Sequence, residues 1–120
     1  MTFWRKDVVD FALDQETRKQ MEEQRAWIER EPANARPYYN LAQFYRMNGK
    51  ADEARGLLLE AVRLDAEFSE AHVSLSELYA VRGEYRVAWD HARRGERGGD
   101  GRAVELLTRH GVPEASDSSS

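Results

Sequence analysis

Between residues 35 and 97 the apolar positions recur every three or four residues, in bursts of about a dozen, with polar residues or glycine between bursts. That is the period of the amphipathic α-helix, in which i, i+3, i+4 and i+7 share a face. Tyr38, Leu41, Ala42 and Tyr45 form one such face, and Ala54, Leu57, Leu58 and Ala61 the next. His72, Leu75 and Tyr79 form a third, and Val87, Ala88, His91 and Ala92 a fourth. The pattern predicts helices over 35–48, 51–65, 70–82 and 85–97. Further helices are expected over 3–13, 15–31 and 102–110, and no β-strand anywhere.

The four faces are two copies of one unit. A shift of 34 residues carries Leu41 onto Leu75, Ala42 onto Ser76 and Tyr45 onto Tyr79. The same shift carries Gly49 onto Gly83, Ala54 onto Ala88 and Ala61 onto Gly95. Each copy reads helix, short glycine turn, helix, which is an antiparallel hairpin. The small residues Ala42, Ala54 and Ala61, and their counterparts Ser76, Ala88 and Gly95, let the two helix backbones approach closely. Tyr45 and Tyr79 then fill the space between hairpins, each with a hydroxyl free to reach a polar partner.

This strongly resembles the tetratricopeptide repeat family. Its pattern of bulky residue, Leu-Gly/Ala, Tyr, Gly, two small residues seven apart and then Pro appears as Tyr38, Leu41-Ala42, Tyr45, Gly49, Ala54 and Ala61, with Ala66 in the proline slot. The second copy has His72, Leu75-Ser76, Tyr79, Gly83, Ala88 and Gly95, with Asp100 in that slot. His72, Gly95 and Asp100 depart from the family pattern. The resemblance covers 68 of 120 residues and implies an all-α fold, an α-α superhelix built as a short solenoid of antiparallel hairpins.

A repeat cannot bury its apolar face alone, so the flanks are expected to cap the stack. One helical-repeat domain is expected over 1–113. Upstream, the 34-residue phase sets Trp4 over Tyr38, Val8 over Ala42 and Phe11 over Tyr45, with Pro32 in the proline slot. Residues 1–34 are therefore expected to form an atypical capping hairpin that turns near Asp14. The alternative is one long helix over 5–30, with Met21, Trp27 and Ile28 packed on the first full repeat; Gln15 in place of glycine and Trp27 in place of alanine favour it. Repeats at 35–68 and 69–102 follow, then a capping helix within 103–113 that Asp100 initiates and Gly111 and Pro113 stop. Residues 114–120 read as a disordered tail.

Composition narrows the function. The chain holds 120 residues, 41% hydrophobic and 33% charged, with no cysteine, which removes disulfides, thiolate metal sites and cysteine nucleophiles. No apolar run approaches the roughly 20 residues of a membrane span, and Arg5, Lys6 and Asp7 interrupt any leader-like stretch. A cytoplasmic location is the expectation, and 15 arginines against 3 lysines suggest a GC-rich, bacterial genome. Net charge is −4, evenly mixed, where a nucleic-acid binder would show a basic excess. Arg93, Arg94, Arg97 and Arg102 crowd together, which a helix C-terminus explains through its dipole. Aromatic and basic residues in Met1–Lys6 suit a membrane surface, but the segment is short and Asp7 and Asp10 repel anionic lipid.

No motif supports catalysis, and none calls for a cofactor. His72, His91 and His110 fall on three different helices without a local ligand pair, so no metal is expected. Asp52-Glu53 is explained by a helix start. Gly98-Gly99-Asp100-Gly101 lacks the strand and lysine of a phosphate loop.

The resemblance implies a concave face lined by the first helix of each repeat, binding a protein or peptide segment as an adaptor. It places Arg36, Tyr39, Asn40, Gln43, Arg46 and Met47 there from one repeat, and Glu70, Val73, Ser74, Glu77 and Val81 from the next. Periodicity sets these residues off the core, and Tyr39, Met47, Val73 and Val81 are apolar where solvation favours none. Tyr39 and Arg46 carry the side-chain types that dominate binding hot spots. A known subclass clamps a terminal carboxylate with lysine and asparagine; Tyr39 and Gln43 stand in those positions, which argues against that partner. The alternative function is self-association through exposed end helices, by Trp4, Val8 and Phe11 or by Leu106 and Leu107.

Overall fold

The computed structural model describes residues 2–114, with side chains described from Asp14 onward. Six helices follow one another: α1 (Thr2–Arg30), α2 (Ala35–Met47), α3 (Ala51–Leu64), α4 (Ser69–Val81), α5 (Tyr85–Arg97) and α6 (Arg102–Arg109). The described residues contain no strand. α2 and α3 form one hairpin, α4 and α5 the next, and α1 and α6 pack on either end. The stack is elongated, 57 × 39 × 23 Å, with a radius of gyration of 17.0 Å against about 14 Å for a compact domain of this length.

The two turns are built alike. Gly49 and Gly83 take φ of 75° and 80°, a left-handed conformation that costs an L-residue roughly 1–2 kcal/mol. Each allows the amide three residues past the helix end to reach back, Lys50 N–H to Tyr45 O and Glu84 N–H to Tyr79 O. Within each hairpin the crossing is made of small residues. Ala42, Ala54 and Ala61, and then Ala88, are wholly buried, and Ser76 nearly so. The Ser76 hydroxyl donates to the Ala88 carbonyl at 2.7 Å, so the polar substitution for alanine is satisfied inside the crossing.

The departures from the repeat have physical causes. A Cβ on Gly95 would lie 3.1 Å from Val73 Cγ2 and 3.2 Å from the Asp100 carbonyl oxygen, so the alanine of the first copy would be tightly crowded in the second. Asp100, in the proline slot, accepts from the Arg102 N–H at 3.2 Å and starts α6. Tyr38 Oη donates to the Pro32 carbonyl at 3.1 Å, and in the same phase His72 Nε2 meets the Ala66 carbonyl at 2.9 Å. That bond places a hydrogen on His72 Nε2, and His72 Nδ1 faces His91 Nδ1 at 3.0 Å. His91 stacks in turn on Tyr79, nearly parallel at 5.7 Å between centroids.

Residues 1–34 do not make a hairpin. α1 runs unbroken through Asp14 and Gln15, because no glycine there can supply the positive φ that Gly49 and Gly83 supply, and the surrounding Gln, Glu, Arg and Met favour helix. α1 lies against α2 through buried Met21, the Gln24–Asn40 bond at 3.1 Å and the Arg25–Tyr45 Oη bond at 2.9 Å. At the other end Leu107 is buried and Leu106 half-buried, so they do not form the open edge expected for self-association. Of the expected tail 114–120, Glu114 is described and is held by Arg93, while 115–120 and the side chains of Trp4, Val8 and Phe11 lie outside the described residues.

Two predictions follow from this packing. Ala54→Leu or Ala88→Leu overpacks a fully buried crossing and lowers unfolding free energy by roughly 1–3 kcal/mol, read from urea midpoints. Burial and the neighbouring His72 push the His91 imidazole down to about 4. Below about 6.5 the unfolded chain takes a proton that the folded chain refuses. This contribution is therefore fully present above about pH 6.5, falls as pH drops toward 4, and changes no further below. Allowing for solvent screening it amounts to about 2 kcal/mol. The double variant His72→Tyr/His91→Leu copies Tyr38 and Leu57 of the first repeat and should flatten the stability profile between pH 7 and 4.5.

Candidate functional site

α2 and α4 lie side by side and are joined by a ladder of polar contacts along one face. Arg36 Nη2 donates to Glu70 Oε1 at 2.9 Å, Gln43 Nε2 to Ser74 Oγ at 3.3 Å, and Arg46 Nη2 to Glu77 Oε1 at 3.0 Å. Asn40 continues the line to Gln24 of α1. Arg102, the first residue of α6, continues it the other way: it is bonded to Asp100 and lies within electrostatic reach of Tyr39 and Glu77. The face is thus a shallow trough crossed by paired charges.

The expected site residues fall into four groups. Arg36 pairs with Glu70 and Arg46 with Glu77, while Asn40 bonds to Gln24 and Gln43 to Ser74, so the polar members of this face already have partners within the protein. Tyr39 is half-buried: its ring lies 5.2 Å from that of Phe68, and the Arg36 guanidinium sits 4.7 Å over the Phe68 ring. It belongs to the packing between repeats as much as to the surface. Met47 and Val81 are open to solvent at 74% and 87% exposure.

Val73 and Ser74 are corrections. They are only 3% and 4% exposed, and Val73 sits in a core cluster with Ala88, Trp89 and Ala92. α4 is the central helix of the stack and packs on α3, α5 and α6, so Ala71–Ser76 is buried continuously. A helix enclosed on several sides has no fixed polar face, and periodicity cannot assign one.

Sequence reasoning missed Phe68, Gln24 and Arg102 as parts of this face. Arg36 and Glu70 did carry a signal, since opposite charges stand at the same repeat position. Arg102 was grouped with the arginines of α5, but Gly98-Gly99-Asp100-Gly101 turns the chain and sets Arg102 on another helix. Of that cluster, Arg94 and Arg97 occupy the last turn of α5 as expected.

The carboxylates whose proton affinity departs from the ordinary range, Glu31, Glu60, Asp100 and Glu114, are all pushed down by hydrogen-bond partners. A general acid at neutral pH needs the opposite shift. No group of three or more metal-ligating side chains is assembled among the described residues, and no helix there is long and apolar enough to cross a membrane.

The comparisons with known proteins agree with the fold. A tetratricopeptide repeat family model matches residues 25–56. The tetratricopeptide repeat domain of Sgt2 from Aspergillus fumigatus superposes with a TM-score of 0.67 at 19% identity, over 96% of this chain and 85% of that one. The MamA protein superposes with a TM-score of 0.60 at 18% identity, over 89% of this chain and 55% of that one. No curated protein sequence matches the chain.

Tyr39→Ala should cost about 2 kcal/mol, because the ring is half-buried against Phe68. Arg46→Glu places like charges together and should cost about 0.5–1 kcal/mol, recovered in the double variant Arg46→Glu/Glu77→Arg. Urea unfolding of the three variants checks both expectations.

Proposed function

We propose that this chain, which carries tetratricopeptide repeats and takes their fold, binds a segment of a partner protein along the face of α2, α4 and α6, without catalysis. The observation that carries the reading is the pair Met47 and Val81. They stand 34 residues apart at the same position of successive repeats, near the ends of α2 and α4, and they are the two most exposed large apolar residues described. Covering both removes apolar area from water at about 25 cal/mol per Å². The Arg36–Glu70 and Arg46–Glu77 rungs keep α2 and α4 in register, so the two aliphatic side chains hold a fixed relation before any partner arrives. A net charge of −4 suits a protein segment better than a nucleic acid.

Selection of peptides from a random displayed library, followed by titration of the free peptides, tests this reading. Peptides that bind the parent chain should lose at least about tenfold, or 1.4 kcal/mol, on Met47→Asp/Val81→Asp. They should be unaffected by Arg63→Glu on the exposed face of α3. Surface substitutions of this kind change stability by roughly 0.5 kcal/mol or less, so loss of binding with an unchanged melting curve assigns the face. Loss on Arg63→Glu alone would move the site to the other side of the stack.

A further inference from the structure

The outer face of α5 already holds one acidic segment, and that segment is the chain's own. After α6 the backbone turns at Gly111 and returns across α5. Trp89 Nε1–H donates to the Val112 carbonyl at 3.1 Å. Arg93 grips the Glu114 carboxylate with both arms of its fork, Nε to Oε2 at 2.8 Å and Nη2 to Oε1 at 2.6 Å. The Arg93 guanidinium also lies 5.1 Å over the Trp89 ring. A main-chain carbonyl fixed by an indole and a carboxylate fixed bidentately by an arginine on an aromatic platform is a complete unit of peptide recognition.

The unit is not used up by Glu114. Arg86 lies two turns before Arg93 and Arg97 one turn after it, on the same stripe of α5, and both line the same cleft. Neither makes an ion pair among the described residues, whereas Arg93 makes two. Asp90 also lines the cleft and is drawn 3.4 Å from Arg94. Three arginines in line, Arg93 held by Glu114 and by Glu96 of its own helix, and Arg86 and Arg97 without an ion pair among the described residues, complement a run of acidic side chains. The protein carboxylate already seated there favours an acidic polypeptide over a phosphate backbone.

We propose that this face of α5 is a second docking surface, distinct from the trough of α2 and α4, for an acidic segment of another protein, and that Glu114 is its resident competitor. A partner's carboxylates would take Arg86 and Arg97 first and then displace Glu114 from Arg93. The occupied state of the free protein thus lowers affinity for the partner without closing the site.

Fluorescence anisotropy with labelled octaglutamate at low salt, with octaglutamine as the neutral control, tests this on the full chain. Octaglutamate should bind and octaglutamine should not. Glu114→Gln should tighten binding at least about threefold by releasing the Nε and Nη2 arm of Arg93, which leaves only the Nη1 contact to Glu96. Arg86→Glu/Arg97→Glu should weaken it at least about tenfold, and because neither arginine makes an ion pair, the melting curve serves as the fold control. Met47→Asp/Val81→Asp should leave it unchanged, which separates this surface from the trough. Equal binding by Glu114→Gln and the parent removes the competitor role. Undiminished binding by Arg86→Glu/Arg97→Glu removes the site. Tighter binding of an oligouridylate than of octaglutamate reassigns the face to nucleic acid.

Discussion

Everything in this molecule depends on how closely two helix backbones approach inside a hairpin. Ala42, Ala54 and Ala61 leave nothing between the helices but their own methyl groups, all wholly buried. The closeness aligns α2 and α3 as one unit, fixes where the next hairpin meets them, and so sets α2 beside α4. The rungs Arg36–Glu70, Gln43–Ser74 and Arg46–Glu77 then form at hydrogen-bonding distance. The second hairpin meets the same constraint with different residues. It buries a serine hydroxyl on a carbonyl and removes one Cβ altogether at Gly95. The requirement is for space, and several side chains meet it.

The trough on α2 and α4 and the arginine stripe on α5 differ in kind. The trough is charge-balanced and already zipped, so its free surface is aliphatic. The stripe is charge-unbalanced and only partly filled. A module with both surfaces addresses apolar and acidic features of its surroundings through different helices, and the rigid hairpin α4–α5 lies between them. Association at the stripe is sensitive to salt, since exposed charges are screened over about 8–10 Å at ordinary ionic strength. Contact with Met47 and Val81 is not sensitive in that way.

Much of the fold was legible because it repeats. Gly49 and Gly83, Tyr45 and Tyr79, and Ala54 and Ala88 each announce the same turn or contact twice. What was not legible depended on encounters between elements. At Asp14-Gln15 two signals conflict, the repeat phase of Trp4, Val8 and Phe11 and the missing glycine; the missing glycine decides it. Val73 and Ser74 read as surface because a helix wheel assumes one buried side, and α4 has several. The grip of Arg93 on Glu114 depends on the turn at Gly111, and the closeness of Arg102 to Tyr39 on the path through Asp100. By contrast, the opposite charges of Arg36 and Glu70 at one repeat position were visible in the sequence and mark the trough.

The histidine pair has a consequence for how the stack comes apart. Where the first repeat packs Tyr38 and Leu57, the second packs His72 against His91. In a solenoid each unit senses only its neighbours, so a cost confined to α4 and α5 is not shared evenly with α1, α2 and α3. Protonation of His91 in acid therefore strains the half that carries the arginine stripe, while the Ala42, Ala54 and Ala61 crossing of the first hairpin takes up no proton.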